Sequence, residues 1–191
     1  EPEAANARLA RRSGFDVVEG FFPEHARDRG PYDAIVFNDV FEHLPDPVRG
    51  ISAAARLLKP GGIAVINLPS SRGVIYRLAA MLDAIGLHEP FERLWQKGLP
   101  SPHVSYFAPD TLERLVLGHS GLRPLDRMEL PSISRAGLGA RVRSTMSGPA
   151  AVAAVASGWI LASFAAILPA DIMVGFFRMP GDDRRPGNGA R

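Results

Sequence analysis

Residues 32–70 read YDAIVFNDVFEHLPDPVRGISAAARLLKPGGIAVINLPS. Ala34, Ile35, Val36 and Phe37 form one short apolar run, and Ile63, Ala64, Val65, Ile66 and Asn67 form another; such runs fit strands covered on both faces. Between them the spacing predicts one helix. Asp46 is placed to cap it and Pro47 suits its first turn. Val48, Ile51, Ala55 and Leu58 recur at helical spacing until Lys59, Pro60, Gly61 and Gly62 stop it. A strand, a helix and a strand in this order form a βαβ unit with a right-handed crossover, so the two strands run parallel. The residues that follow the first strand then gather at the carboxyl edge of a sheet, where open α/β folds bind ligands. Asn38, Asp39, Glu42 and His43 stand at that edge.

A chain of 191 residues holds one α/β domain with its own core. Its formal net charge is only +2, and the arginines are scattered or collected in the stretch 182–191. No basic patch interleaved with aromatics marks a nucleic-acid surface, so nucleic acid is not an expected partner. The chain has no cysteine, which excludes disulfides, thiolate nucleophiles and Cys-ligated metals and is compatible with a reducing cytoplasm. It begins with Glu1 rather than Met, so targeting is not readable from its start.

NDVFEHLPDP followed by LLKPGG and NLPS resembles the middle of a class I S-adenosylmethionine-dependent methyltransferase, in particular the small-molecule branch with the ubiquinone-type O-methyltransferases. The resemblance runs over about residues 1–130. It implies a Rossmann-like α/β sheet, mostly parallel with an antiparallel strand at the carboxyl end, and transfer of a methyl group from S-adenosylmethionine to a small-molecule hydroxyl. The same resemblance implies a Gly-rich loop after the family's first strand, which this chain does not contain, so the amino-terminal strands of the sheet read as truncated. Either the chain is a piece of a longer one or it is a shortened relative that no longer holds the cofactor. The first reading is preferred, and with it the expectation that these 191 residues alone are inactive.

On the same resemblance Glu1 falls at the end of the family's second strand, where an acidic residue accepts hydrogen bonds from the ribose hydroxyls; on residue type alone it is a solvated terminal Glu. Phe15–Glu19 has the β-branched content of a third strand. Phe21 and Phe22 after it are placed to stack on adenine, or else are core phenylalanines. Asn38, Asp39 and Val40 would line the cofactor pocket; their plainer role is to cap the turn after the strand. For a hydroxyl acceptor a base is needed, and His43 and His103 are the candidates, in that order. If residues 39–43 continued as a helix, Asp39, Glu42 and His43 would share one face at i, i+3 and i+4. That triplet is also an oxygen-and-imidazole set able to take a metal, but such residues more often orient a loop, and no metal ligand is assigned.

Val74, Ile75, Leu78, Leu82 and Ile85 make a helical stripe, after which 86–107 becomes irregular and carries Phe91 and Trp95. The resemblance makes this region a lid over the acceptor. Ala108, Pro109 and Asp110 open a further helix with Leu112, Leu115 and Val116 facing inward, and Gly121 ends it. Leu122–Leu130 has a weak strand pattern and Ile172–Arg178 a stronger one. Residues 149–168, PAAVAAVASGWILASFAAIL, carry no charge. They read as a buried helix before the last strand, with a membrane-surface contact and a membrane span as alternatives. Residues 1–180 form one domain and 181–191 a disordered tail. Two other functions compete with methyl transfer: an inactive methyltransferase-like partner subunit, and a nicotinamide oxidoreductase on a similar sheet.

Overall fold

The structure is a computed structural model that describes residues 1–26, 28–131 and 168–181, together with the isolated positions 142, 148 and 155. In chain order it contains α1 (Ala4–Arg12), β1 (Tyr32–Asn38), α2 (Pro47–Leu57), β2 (Leu58–Pro69), α3 (Val74–Ala84), α4 (Glu89–Leu94), α5 (Pro109–Ser120), β3 (Arg123–Leu130) and β4 (Ile172–Arg178). Short 3-10 turns at Glu24–Ala26 and Phe41–His43 complete the regular structure of the described residues. The expectations for 149–168 and for the tail fall outside the described residues, apart from Val155, Leu168 and Gly181.

The βαβ unit forms as its sequence predicts. Asp46 Oδ1 accepts the Arg49 N–H at 2.9 Å, Pro47 opens α2, and Ile51, Ala54 and Ala55 are buried on its inner face. The helix ends at Leu57 and the chain passes directly into β2. Gly62 permits this crowded entry: a Cβ there would lie 2.9 Å from the Lys59 carbonyl oxygen and 3.1 Å from those of Tyr32 and Asp33. β1 and β2 then pair in parallel, with Ala34 opposite Ile63 and Asn38 opposite Asn67.

Four strands lie in the order β1-β2-β4-β3. β4 is antiparallel to both of its neighbours, so β1, β2 and β3 run one way and β4 alone is reversed. This is the mostly parallel sheet with a reversed carboxyl-terminal strand that the sequence predicts.

Burial in the sheet departs from the prediction. Along β2, Ala64, Ile66 and Leu68 are fully buried while Ile63, Val65 and Asn67 are half-buried, and β4 alternates in the same way through Met173, Gly175 and Phe177. In β1 only Phe37 is buried, and Val36 is 61% exposed. The cause is layering: α2 and α5 pack on each other and on one face of the sheet, and among the described residues no second helical layer covers the opposite face. Among the described residues β1 is moreover an edge of the sheet, paired only with β2.

Residues 15–19 are not a strand. Their carbonyls are already taken, Val17 by the Arg11 guanidinium at 3.0 Å and Val18 by the Glu1 ammonium at 3.0 Å, and the Gly20 N–H returns to the Glu1 carbonyl. Among the described residues no strand pairs with this segment, so no ladder forms. Residues 86–107 also differ from an irregular excursion, because α4 lies within them and packs on α3. Beneath the carboxyl end of β1, Phe22, Phe37, Phe41 and Phe107 run ring to ring, with successive centroids 5.4, 5.3 and 5.8 Å apart. This aromatic row joins the core to the segment that carries His103.

Candidate active site

β1 ends at Asn38, and the chain turns sharply through Asp39 in the left-handed region, φ 51°. A backbone conformation that a non-glycine residue seldom adopts clusters at functional turns. The Asn67 amide donates to Asn38 Oδ1 at 2.8 Å, and the Asp39 N–H donates to the Asn67 carbonyl at 3.0 Å. The carboxyl ends of β1 and β2 are thereby locked together. Asp39 Oδ2 accepts only a 3.2 Å bond from the Asn38 amide, which leaves acceptor capacity facing solvent, and Val40 beside it is 44% exposed.

The 3-10 turn that follows places Glu42 inward and His43 against Ser101 and Pro102. The expected shared helical face of Asp39, Glu42 and His43 does not form, because the left-handed Asp39 precedes a single turn rather than a helix. His103 takes the third place. The rings of His43 and His103 meet edge to face with centroids 4.7 Å apart. One ligand atom each from Glu42, His43 and His103 lies within 4.8 Å of the others, so among the described residues these three are able to converge on a metal ion.

Residues 102–105 and this turn are stitched together through the backbone. The Glu42 carbonyl accepts the N–H of Val104 at 2.9 Å and of Ser105 at 3.2 Å, and the Pro102 carbonyl lies 2.9 Å from His43 Nδ1. A carbonyl only accepts, so His43 carries its proton on Nδ1 and presents a lone pair on Nε2, which has no hydrogen-bond partner among the described residues. Tyr76 on α3 and Phe91, Trp95 and Tyr106 within 86–107 form an aromatic cluster, with centroid separations of 4.8–6.2 Å, and His103 packs on Tyr106 at 5.4 Å. Trp95 therefore packs within this cluster and not in the core of the sheet.

Electrostatics set these groups apart. Glu42 is 1% exposed and its Oε2 has no hydrogen-bond partner among the described residues. Burial pushes its carboxyl above the usual 4.5, with Asp39 adding to the rise and its own N–H and His43 opposing it. Burial holds His103 below 6.5, helped by charge on His43 and opposed by the Leu94 carbonyl and Asp39. Tyr106 is pushed up to about 12, first by burial and then by Glu42 and Tyr76. A protonatable carboxyl, an open imidazole lone pair and a second, neutral imidazole thus share one small region. The arrangement can take a proton from a hydroxyl and hold it.

The remaining predicted residues lie in varied surroundings. Glu1 turns its carboxylate onto its own chain, Oε1 accepting the Glu3 N–H at 3.1 Å. Phe21 is 67% exposed, whereas Phe22 packs edge-on against Phe37. A groove of about 610 Å³ lined by Arg29, Arg49, Arg56 and Leu57 lies at the amino end of β1, away from both histidines. Gln96 and Tyr106, which contact His103, were missed by sequence reasoning. Nothing in LWQKG or HVSYF marks either residue as a neighbour of that imidazole.

Residues 2–125 match the family described as Methyltransferase domain. The ubiquinone biosynthesis O-methyltransferase of Escherichia coli O139:H28 is 33% identical over 67 residues, which is 35% of this chain and 28% of the relative's length. Among solved structures, a SAM-dependent methyltransferase from Thermotoga maritima superposes with a TM-score of 0.57 at 15% identity, over 94% of this chain and 71% of its own. A SAM-dependent methyltransferase from Archaeoglobus fulgidus gives 0.55 at 13% identity, over 93% and 73%. These two likenesses show the fold, and the match over 2–125 shows the family: the chain belongs to the methyltransferase domain family.

Proposed function

We propose that the protein transfers a methyl group from S-adenosylmethionine to a hydroxyl of a small-molecule acceptor, with His43 as the base and His103 beside it. The observation that carries this reading is the His43 imidazole, fixed by the Pro102 carbonyl so that its Nε2 lone pair stands open beside the carboxyl end of β1. S-adenosylmethionine, when bound, supplies an electrophilic methyl carbon on a sulfonium. The chain's own residues supply binding, alignment and a place for the proton. The acceptor's O–H proton passes to His43 Nε2 as its oxygen becomes nucleophilic, and the buried Glu42 lies close enough to stabilise the imidazolium that results.

Asn38, Asp39 and Val40 would hold the adenosine portion. The unspent acceptor capacity of the Asp39 carboxylate fits a ribose diol. Glu1, Phe21 and Phe22 are proposed as further cofactor contacts, and Phe21 is the more accessible of the two rings. The lid over 86–107 would exclude water, and 1–180 would act as one domain. No helix among the described residues is long and apolar enough to cross a membrane. A cytoplasmic enzyme is the reading we favour, with membrane-surface contact through the uncharged 149–168 stretch as an alternative.

The test is transfer of tritium from methyl-labelled S-adenosylmethionine to a panel of phenols and aliphatic alcohols, using the chain together with whatever its gene encodes upstream of Glu1. His43→Ala should lower turnover by about 10²–10⁴-fold while cofactor binding persists. Full activity of that variant would remove His43 from the chemistry.

A further inference from the structure

The Tyr106 hydroxyl lies 2.9 Å from the Leu94 carbonyl oxygen and 2.9 Å from His103 Nδ1. Tyr106 has one proton to give, and a carbonyl oxygen has none, so that proton goes to Leu94. The phenol oxygen is left to accept, and His103 must donate to it from Nδ1. Once Nδ1 carries the proton, the lone pair of the neutral ring resides on Nε2. There the side-chain nitrogen of Gln96 stands at 3.0 Å, and an amide N–H donates to that lone pair. Gln96 itself has φ 50°; among the described residues only Asp39 shares a positive φ without being glycine. The lid loop holds it there by Leu99 N–H to Gln96 carbonyl at 3.0 Å on one side and His103 N–H to Trp95 carbonyl at 3.1 Å on the other.

We infer that Tyr106 and Gln96 are positioning residues that act through His103: Tyr106 fixes its proton on Nδ1, and Gln96 caps the Nε2 lone pair that this leaves. A donor that reaches His103 must first displace the Gln96 amide. His43, held in the same tautomer by Pro102, carries no such cap, and this separates the roles of two adjacent imidazoles. The inference rests on the proposed methyl-transfer site only for its use in catalysis. Its test needs no turnover, so the two can fail separately.

In ¹⁵N-labelled protein at neutral pH, long-range imidazole correlations should show His103 with its proton on Nδ1. Tyr106→Phe keeps the ring but removes the acceptor, and should move His103 toward the Nε2-protonated form. Gln96→Leu should leave the tautomer in place. It should raise the rate at which diethyl pyrocarbonate modifies His103, mapped by mass spectrometry, by up to about tenfold, the worth of one hydrogen bond. An unchanged His43 pattern certifies that each variant is folded; for a variant that fails this check, the wild-type tautomer decides alone. A wild-type His103 protonated on Nε2, a Tyr106→Phe spectrum like the wild type, or equal modification rates with and without Gln96 would each overturn the inference.

Discussion

The residue that most shapes the site is Glu42, because its carboxyl is buried with one oxygen unpartnered and its acidity is weakened by that burial. Below pH 4.5 it is protonated both folded and unfolded. As the pH rises past that value the unfolded chain ionises first, so stability is lost until the folded carboxyl titrates as well. Glu42→Gln should therefore be at least as stable as the wild type at pH 7 in urea titration and should lack the slope that begins near pH 4.5. A large loss of stability would mean that the ionised carboxylate has a partner. His103 works in the other direction. Its folded value lies below 6.5, so its contribution is complete above 6.5 and is lost as the pH falls and the unfolded chain takes up a proton first. His103→Gln should flatten the acid side of the stability profile below 6.5, and an unaltered profile would contradict that assignment. The sequence exposed both histidines as candidates because their type suits proton transfer. Their meeting, and the exclusion of Asp39 from the expected triplet, depend on a left-handed turn that no residue type announces at position 39.

At the scale of elements, the helix and strands around the site were legible wherever local chemistry agreed with tertiary packing. Asp46 and Pro47 start α2, Gly121 at φ 73° stops α5, and the pattern at 172–178 gives the last strand, whose reversed direction is what the family resemblance implies. Residues 15–19 misled because β-branched content describes what fits a sheet and does not create the partner strand. α4 was hidden because Pro90 and the glycines around it read as loop, while the aromatic packing that stabilises it comes from Tyr76 on α3. The anchor of α3 is Gly73, where a Cβ would stand 2.6 Å from Asp171 Cα, and Asp171 Oδ1 accepts the Ile75 N–H at 2.8 Å. Gly73→Ala should cost about 1–3 kcal/mol by overpacking this junction. Gly118, inside α5 with nothing within 4 Å of a Cβ, is the matched control. Gly118→Ala should gain about 0.5–1 kcal/mol from helix propensity. Urea titration of the pair checks both signs, and a stable Gly73→Ala protein would show that the start of α3 is free to shift.

For the molecule as a whole, the sheet order brings the carboxyl ends of β1 and β2 together, and residues 102–105 cross that end, where the Val104 and Ser105 N–H groups donate to the Glu42 carbonyl. The opposite end of β1 opens onto the groove lined by Asp28, Arg29, Arg49 and Arg56, where Arg29 pairs with Asp16 and Arg49 with Glu24. An adenosine bearing a sulfonium suits the end with carboxylates and imidazoles. The most direct measurement is a crystal structure of the whole gene product with S-adenosylhomocysteine. The account predicts adenosine density against Asn38, Asp39 and Val40, with the sulfur turned toward His43 and His103. Density in the Arg49–Arg56 groove, or on any surface from which His43 is out of reach, would contradict it.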